Sequence, residues 1–178
     1  MIIVLGISGS GKSSQCKLLS ESGKYRWLSV GELLRGSSQA QQFSTELQAG
    51  KMVSDDVVIP MVDEQLLEIG DRPEILLDGY PRSIRQVEHL LGQPELKQSV
   101  RRVVHLKVQP SVAEDRLAIR ARSDDHDSAI GERHAEYLRT IEAILSDFRQ
   151  AGVSICEIDG DQPRQVVQQE IIGCINGD

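Results

Sequence analysis

A chain of 178 residues, 39% hydrophobic and 26% charged, has the size and composition of one well-packed globular domain. Its longest apolar runs, such as Met1–Leu5 and Ile75–Leu77, are far too short to cross a bilayer. The formal charge of −7 argues against a broad nucleic-acid or membrane surface, yet leaves room for a small anion held by a few focused arginines.

The first residues, Ile2–Leu5, are apolar and β-branched, as a parallel strand covered on both faces requires. No basic segment precedes them, so no signal peptide is expected. A Gly/Ser loop follows, and Lys12–Ser22 reads as a helix. Further strands are expected at Tyr25–Val30, Glu74–Asp78, Val103–Val108 and Val153–Ile158, making five. Helical patterns lie around 31–36, 38–49, 55–69, 83–92, 111–121, 128–150 and 163–175, with Pro110 and Pro163 at helix first turns. Strands alternating with helices predict an α/β fold: a doubly wound, five-stranded parallel sheet with ligands at the carboxyl ends of its strands. Two helices separate the second and third strands, more than one crossover needs. The segment 30–60 therefore reads as a small helical insertion within a single domain spanning 1–178, able to close over a ligand.

The cysteines Cys16, Cys156 and Cys174 are odd in number, widely spaced and free of any CxxC pair. That pattern predicts reduced, mostly buried thiols in a cytoplasmic compartment and no zinc site.

Gly6-Ile7-Ser8-Gly9-Ser10-Gly11-Lys12-Ser13 matches GxxxxGK[ST], directly after an apolar strand and directly before a helix. A flexible Gly/Ser turn is the plainer alternative, but it does not account for the whole pattern in that setting. In such a loop successive backbone N–H groups point at a phosphate, aided by the positive end of the following helix. Gly9, Ser10, Gly11, Lys12, Ser13 and Ser14 are thus the expected ATP cradle. Lys12 reaches β- and γ-phosphate oxygens, and Ser13 is placed for Mg²⁺. Asp78 ends the third strand, where its carboxylate would hold the same Mg²⁺ through water, unless it is simply a strand-end turn residue.

Three further stretches resemble the adenylate kinases. Ser29-Val30-Gly31-Glu32-Leu33-Leu34-Arg35 is similar to their S-T-G-D-L-L-R. Leu77-Asp78-Gly79-Tyr80-Pro81-Arg82-Ser83-Ile84-Arg85-Gln86 is similar to L-D-G-[FY]-P-R-T-x-x-Q. Gly50-Lys51-Met52-Val53-Ser54-Asp55 resembles G-K-x-V-P-D, and the likeness extends to Ile158-Asp159-Gly160-Asp161-Gln162-Pro163. The resemblance implies a P-loop NTPase fold and transfer of the γ-phosphoryl of ATP to a nucleoside monophosphate, most readily AMP, giving two ADP. It implies that Val30, Arg35, Lys51, Met52, Val53, Gly79, Arg82, Gln86, Arg122 and Arg133 form the AMP site, with Gln86 reading the base and Arg35 the phosphate. An amide offers both donor and acceptor to a base edge, and Gln86 is expected one helical turn beyond Arg82. An arginine fork at 82 spans two phosphates as a lysine cannot.

Arg116-Leu117-Ala118-Ile119-Arg120-Ala121-Arg122-Ser123-Asp124-Asp125 is the most informative departure. The family carries R-L-x-x-R, then a mobile lid, then R-x-D-D and a helix with R-L-x-x-Y. Here only Ala121 stands between the two sides, so the lid is almost entirely deleted. By resemblance Arg116 stacks on the ATP base, Gln162 joins the ATP site, and Arg120, Arg122 and Arg133 surround the transferring group. Phosphoryl transfer leaves the protein mostly charge to stabilise, which is what such a cluster supplies. A missing lid also predicts more loss of phosphate to water, unless oligomer contacts supply the cover. Asp124, Asp125 and Asp127 read equally as caps of the next helix.

Val30 stands where the family usually places threonine near the AMP base, and Ser54 replaces a common proline. Gln86 favours AMP, because UMP/CMP relatives usually carry asparagine near that position. A UMP, CMP or deoxynucleotide kinase, an ATP-binding regulatory module with weak ATPase activity, and a small-metabolite kinase are the competing readings. His89, His105, His126 and His134 lack metal-ligand spacing, and His134 is expected at the surface. Trp27 and Phe148 are expected to serve packing.

Overall fold

The structure, a computed structural model, describes residues 1–38, 43, 52–69, 73–120 and 127–177. Five parallel strands, β1 (Ile2–Gly6), β2 (Tyr25–Ser29), β3 (Glu74–Asp78), β4 (Arg102–Lys107) and β5 (Ser154–Asp159), form one sheet in the order β2-β3-β1-β4-β5. Among the described residues the helices are α1 (Lys12–Ser20), α2 (Val30–Gly36), α3 (Asp55–Ile69), α4 (Ile84–Gly92), α5 (Pro94–Ser99), α6 (Pro110–Arg120), α7 (Asp127–Gln150) and α8 (Arg164–Asn176).

The period-2 geometry of a strand splits the apolar runs between two layers. Ile3, Leu5, Leu28, Ile75, Leu77 and Val103 face one way, against Val87 and Leu90 of α4 and Ile141, Ile144, Leu145 and Phe148 of α7. Ile2, Val4, Leu76, Val104, Leu106 and Ile158 face the other, against Cys16 and Leu19 of α1 and Val167, Ile171 and Ile175 of α8. Both faces are covered, which is why the strands read as continuous apolar runs.

Strand register sets up the ligand edge. Val4 pairs with Asp78, Ser29 with Asp78, and Gly6 with Leu106, so β1, β2, β3 and β4 deliver their carboxyl ends side by side. The crevice opens beside β1, which β3 and β4 flank, and this is where chain direction across the sheet switches.

Three expectations need correction. The 94–99 stretch is a separate short helix, begun by Pro94 after Gln93, where a connection had been expected. Val30 belongs to α2 and not to β2, because Ser29 caps that helix, accepting from Glu32 N at 3.4 Å. The cysteines are not all thiols: Cys156 on β5 and Cys174 on α8 form a disulfide, leaving only Cys16 as a buried thiol. Sequence spacing concealed this pair, since 18 residues separate the two and only the packing of α8 on β5 brings them together. Closing a loop of that length removes denatured-state entropy worth about 3 kcal/mol. Cys174→Ser is therefore expected to lower unfolding stability by about that amount in denaturant titrations under oxidising conditions, and not at all in excess dithiol.

Most of the expected 38–49 helix, Lys51, and the 121–126 junction with Arg122, Asp124, Asp125 and His126 lie outside the described residues. Phe43 is described, and it is buried in the larger core cluster.

Candidate active site

The loop between β1 and α1 curls tightly because Ser10 N donates to Ile7 O at 3.0 Å. Gly9 has φ +87°, and a Cβ there would lie 2.3 Å from the Ala113 carbonyl oxygen. Only glycine lets the loop lie this close to α6. The Lys12 ammonium folds back onto its own loop, donating to Gly6 O at 2.6 Å, Ile7 O at 2.9 Å and Ser10 Oγ at 3.3 Å. Burial pulls its pKa down to about 8, against the opposing pull of the Asp78 carboxylate, while Arg82 adds to the lowering.

Asp78, 2% exposed, accepts at Oδ2 from the Ser13 hydroxyl at 2.7 Å and from the Trp27 indole N–H at 3.2 Å. A hydroxyl and a carboxylate in contact are hard oxygen donors, so the pair suits Mg²⁺, which takes one or two protein ligands and completes its shell with water and phosphate. Trp27 does more than pack: it orients this carboxylate.

After β3 the chain turns through Gly79, at φ +80°, and a cis Tyr80–Pro81 bond. A Cβ on Gly79 would sit 2.8 Å from Arg82 Nη2, so the turn must be glycine for the guanidinium to lie over it. Arg82 Nε donates to Gly79 O at 2.8 Å, which sets the plane of the fork. Arg82 precedes the helix, because Ser83 caps α4 by accepting from Gln86 N at 3.1 Å. The expectation of one helical turn between Arg82 and Gln86 is thus corrected: they meet by a direct bond, Arg82 N to Gln86 Oε1 at 2.7 Å.

Gln86 is 2% exposed, and its Nε2 donates to Asp55 Oδ1 at 2.5 Å while Ser83 Oγ donates to Asp55 Oδ2 at 2.7 Å. Asp55 opens α3 and therefore fixes which way the Gln86 amide faces. Sequence reading missed this role because the two residues are 31 apart and meet only in space. With Asp55→Ala the amide is released to rotate, so KM for AMP is expected to rise about 10-fold with KM for ATP unchanged in steady-state assays, the size of one lost charge-assisted bond.

Arg116 and Arg120 come from the last turns of α6, and Arg116 Nη2 donates to Gly160 O at 3.0 Å. Arg133 is buried on α7, with Nε donating to Ala129 O at 3.2 Å. A cleft of about 370 Å³ joins these parts. Gly9, Gly11, Lys12, Ser13, Ser14, Asp78, Arg116 and Arg120, expected for ATP and its metal, line it together with Val30, Arg35, Met52, Val53, Gly79, Arg82, Gln86 and Arg133, expected for AMP. Ile119, 86% exposed, adds an apolar edge that sequence reading did not single out.

Among the described residues, two expected ones are not on the cleft wall. Ser10 lies beneath the loop as the third Lys12 acceptor. Gln162 turns away, its Nε2 donating to Glu170 Oε1 at 3.0 Å and Asp159 O at 3.3 Å, because α8 offers a carboxylate one turn and a half into the helix. His134 is not a surface residue either: it is 5% exposed, with Nε2 against Ser8 O at 3.1 Å.

A phosphate loop at the carboxyl end of a central parallel strand, with arginines from four other segments lining the same cleft, defines a P-loop nucleotide kinase. The family model for adenylate kinase matches residues 4–153. The chain is similar to adenylate kinases of Synechococcus sp. (strain WH7803), 37% identical over 166 residues covering 89% of this chain and 88% of that protein. It is likewise similar to those of Prochlorococcus marinus (strain MIT 9301), 33% over 177 residues (96% and 95%), and Stenotrophomonas maltophilia (strain R551-3), 30% over 186 residues (99% and 99%). The chain belongs to the adenylate kinase family and is a nucleoside monophosphate kinase, of the family whose reaction is ATP plus AMP giving two ADP.

Proposed function

We propose that the chain transfers the γ-phosphoryl of ATP to AMP across this one cleft, with donor and acceptor held on opposite walls. The observation that carries the reading is the convergence of Lys12, Arg82, Arg120 and Arg133, from four separate segments, on a space of about 370 Å³.

The loop amides and Lys12 hold the ATP phosphates, with Gly9, Gly11, Ser13 and Ser14 forming the cradle and Arg116 lying against the base. Ser10 supports the loop from beneath. Mg²⁺ bound with ATP supplies charge neutralisation to the β- and γ-phosphates, and Ser13 and Asp78 are the residues that would hold it, Asp78 through water. AMP lies between α2 and the start of α4. Val30, Met52 and Val53 give it apolar walls, Gln86 meets the base edge, and Arg35 and Lys51 meet the phosphate. The acceptor oxygen is already an anion, so no general base is needed. It attacks the γ-phosphorus as the bond to the bridging β-oxygen breaks, and charge spreads over the three equatorial oxygens. Arg82 spans both nucleotides, while Arg120, Arg122 and Arg133 surround the migrating group.

The segment from 30 to about 60 is the insertion that closes over AMP, and only Ala121 stands where the family carries its lid. We place the enzyme in the cytoplasm, where its two nucleotides are abundant; among the described residues no helix is long and apolar enough to cross a membrane.

The test is incubation with ATP, Mg²⁺ and each monophosphate in turn, with products separated by chromatography. Two ADP from ATP plus AMP is the expected result, and faster product with UMP or CMP would reassign the acceptor. ATP alone is expected to release more phosphate to water than a lidded relative would, because only six residues stand between Arg120 and Asp127.

A further inference from the structure

His134 is a departure from the family motif R-L-x-x-Y, standing where leucine is expected directly after Arg133. A leucine there would be one more apolar contact. The histidine instead puts an imidazole, 5% exposed, between α7 and the phosphate loop, with Nε2 3.1 Å from Ser8 O. A carbonyl oxygen only accepts, so Nε2 must carry the proton and donate. Nδ1 is enclosed with no hydrogen-bond partner among the described residues and lies 3.7 Å from Glu114 Oε1 on α6.

We propose that His134 is a positioning residue for phosphoryl transfer: its Nε2–H ties the Ser8 carbonyl of the phosphate loop to α7, one residue from Arg133, and so fixes that arginine relative to the cradle of the donor phosphates. The inference rests on the reading of the cleft given above, in which Arg133 meets the transferring group.

Three features support it. Ser8 lines the cleft itself, so the bond is made to the working part of the loop and not to its base. Arg133 and His134 are consecutive on a helix 24 residues long, a rigid carrier, whereas the loop has no regular backbone ladder of its own. The imidazole is neutral when it does this: burial lowers its pKa below 6.5, Arg133 and Lys12 add to the lowering, and the Ser8 bond and Glu114 oppose it. A neutral ring adds a directed donor without adding another positive charge beside Arg133 and Lys12. Misplacing a catalytic group by about 1 Å costs about 10²-fold in rate, so losing one of several restraints is expected to cost less than that.

The experiment compares wild type, His134→Leu and His134→Gln at pH 7.5 in ADP formation from ATP and AMP. Glutamine places an amide N–H near the position of the imidazole Nε2, while leucine restores the family's residue and has no donor. His134→Leu is expected to lower kcat about 10-fold with both KM values within about 2-fold, and His134→Gln to recover kcat to within about 3-fold of wild type. A role in packing alone predicts the reverse order, since leucine fills the buried site better. Leucine as fast as wild type, or glutamine no faster than leucine, overturns the proposal. Should a variant fail to fold, imidazole ¹⁵N shifts of the wild-type protein at pH 7.5 decide: protonated Nε2 with pyridine-like Nδ1 is required, and the opposite tautomer overturns it. A wild type that binds ATP yet makes no ADP with AMP would instead remove the reading of the cleft, whatever the tautomer.

Discussion

Replacing Arg82 by lysine is expected to lower kcat about 10³-fold, at the lower end of what a transition-state arginine contributes. Charge is conserved in this change, so the loss measures geometry. The Arg82 guanidinium is planar and its plane is set by Nε donating to Gly79 O at 2.8 Å, above a glycine that leaves no Cβ in the way. Its backbone is held as well, with N donating to Gln86 Oε1 at 2.7 Å and Thr140 Oγ1 donating to its carbonyl at 3.4 Å. A lysine ammonium on a flexible stem reproduces none of the fork and cannot bridge two phosphates at once. The loss should therefore fall on kcat, with KM for ATP shifting by less than about 3-fold, because the bridge is complete only in the transition state. About 10³-fold corresponds to about 4 kcal/mol of transition-state stabilisation. A coupled assay finding Arg82→Lys within about 10-fold of wild type would remove Arg82 from the reaction.

Replacing Lys12 by methionine is expected to lower kcat by about 10²- to 10³-fold, the usual cost of deleting one preorganised electrostatic group. The same change should not destabilise the fold in proportion. Burial opposes the charge of Lys12 strongly enough to bring its pKa from 10.5 to about 8, so the folded protein carries a cation in a place that disfavours it. The folded pKa lies below the unfolded one. Between pH 8 and 10.5 the unfolded chain holds more protons, and the stability of the wild type therefore gains as pH rises through that window. Below pH 8 both states are protonated and the penalty is present in full. Methionine removes the penalty, offset by the loss of three hydrogen bonds to Gly6, Ile7 and Ser10. Activity and melting temperature are thus expected to separate, the first collapsing while the second stays within a few degrees. The phosphates of ATP reverse the shift by supplying the missing opposite charge. At pH 8.5 ATP binding to wild type should take up a fraction of a proton, seen as a dependence of calorimetric heat on buffer ionisation enthalpy, and Lys12→Met should take up none. Equal proton uptake by both would show that Lys12 does not meet the phosphates.

The phosphate loop was legible because its chemistry is local. Gly6 to Ser13 are contiguous, the glycines are required by backbone angles, and the flanking strand and helix each announce themselves by apolar period. The same holds for the Gly79-Tyr80-Pro81-Arg82 turn, where the glycine and the Arg82 Nε bond to Gly79 O lie within four residues. The parallel, doubly wound character of the sheet followed from alternation of element types, since a parallel crossover admits few alternatives.

What stayed hidden were pairings between residues far apart in the chain that no motif marks. Asp55 gripping Gln86, Trp27 orienting Asp78, Cys156 joining Cys174 and His134 reaching Ser8 span 31, 51, 18 and 126 positions. No local pattern encodes such pairs, because their partners are chosen by how helices pack on the sheet. Gln162 shows the same limit from the other side: its segment matched a motif, yet a carboxylate on α8 holds its amide away from the cleft. Local backbone chemistry was enough to say that a phosphate binds here and between which elements. Only the packed structure decided which side chains hold the reacting groups still, because holding is a property of distances through space and not of order along the chain.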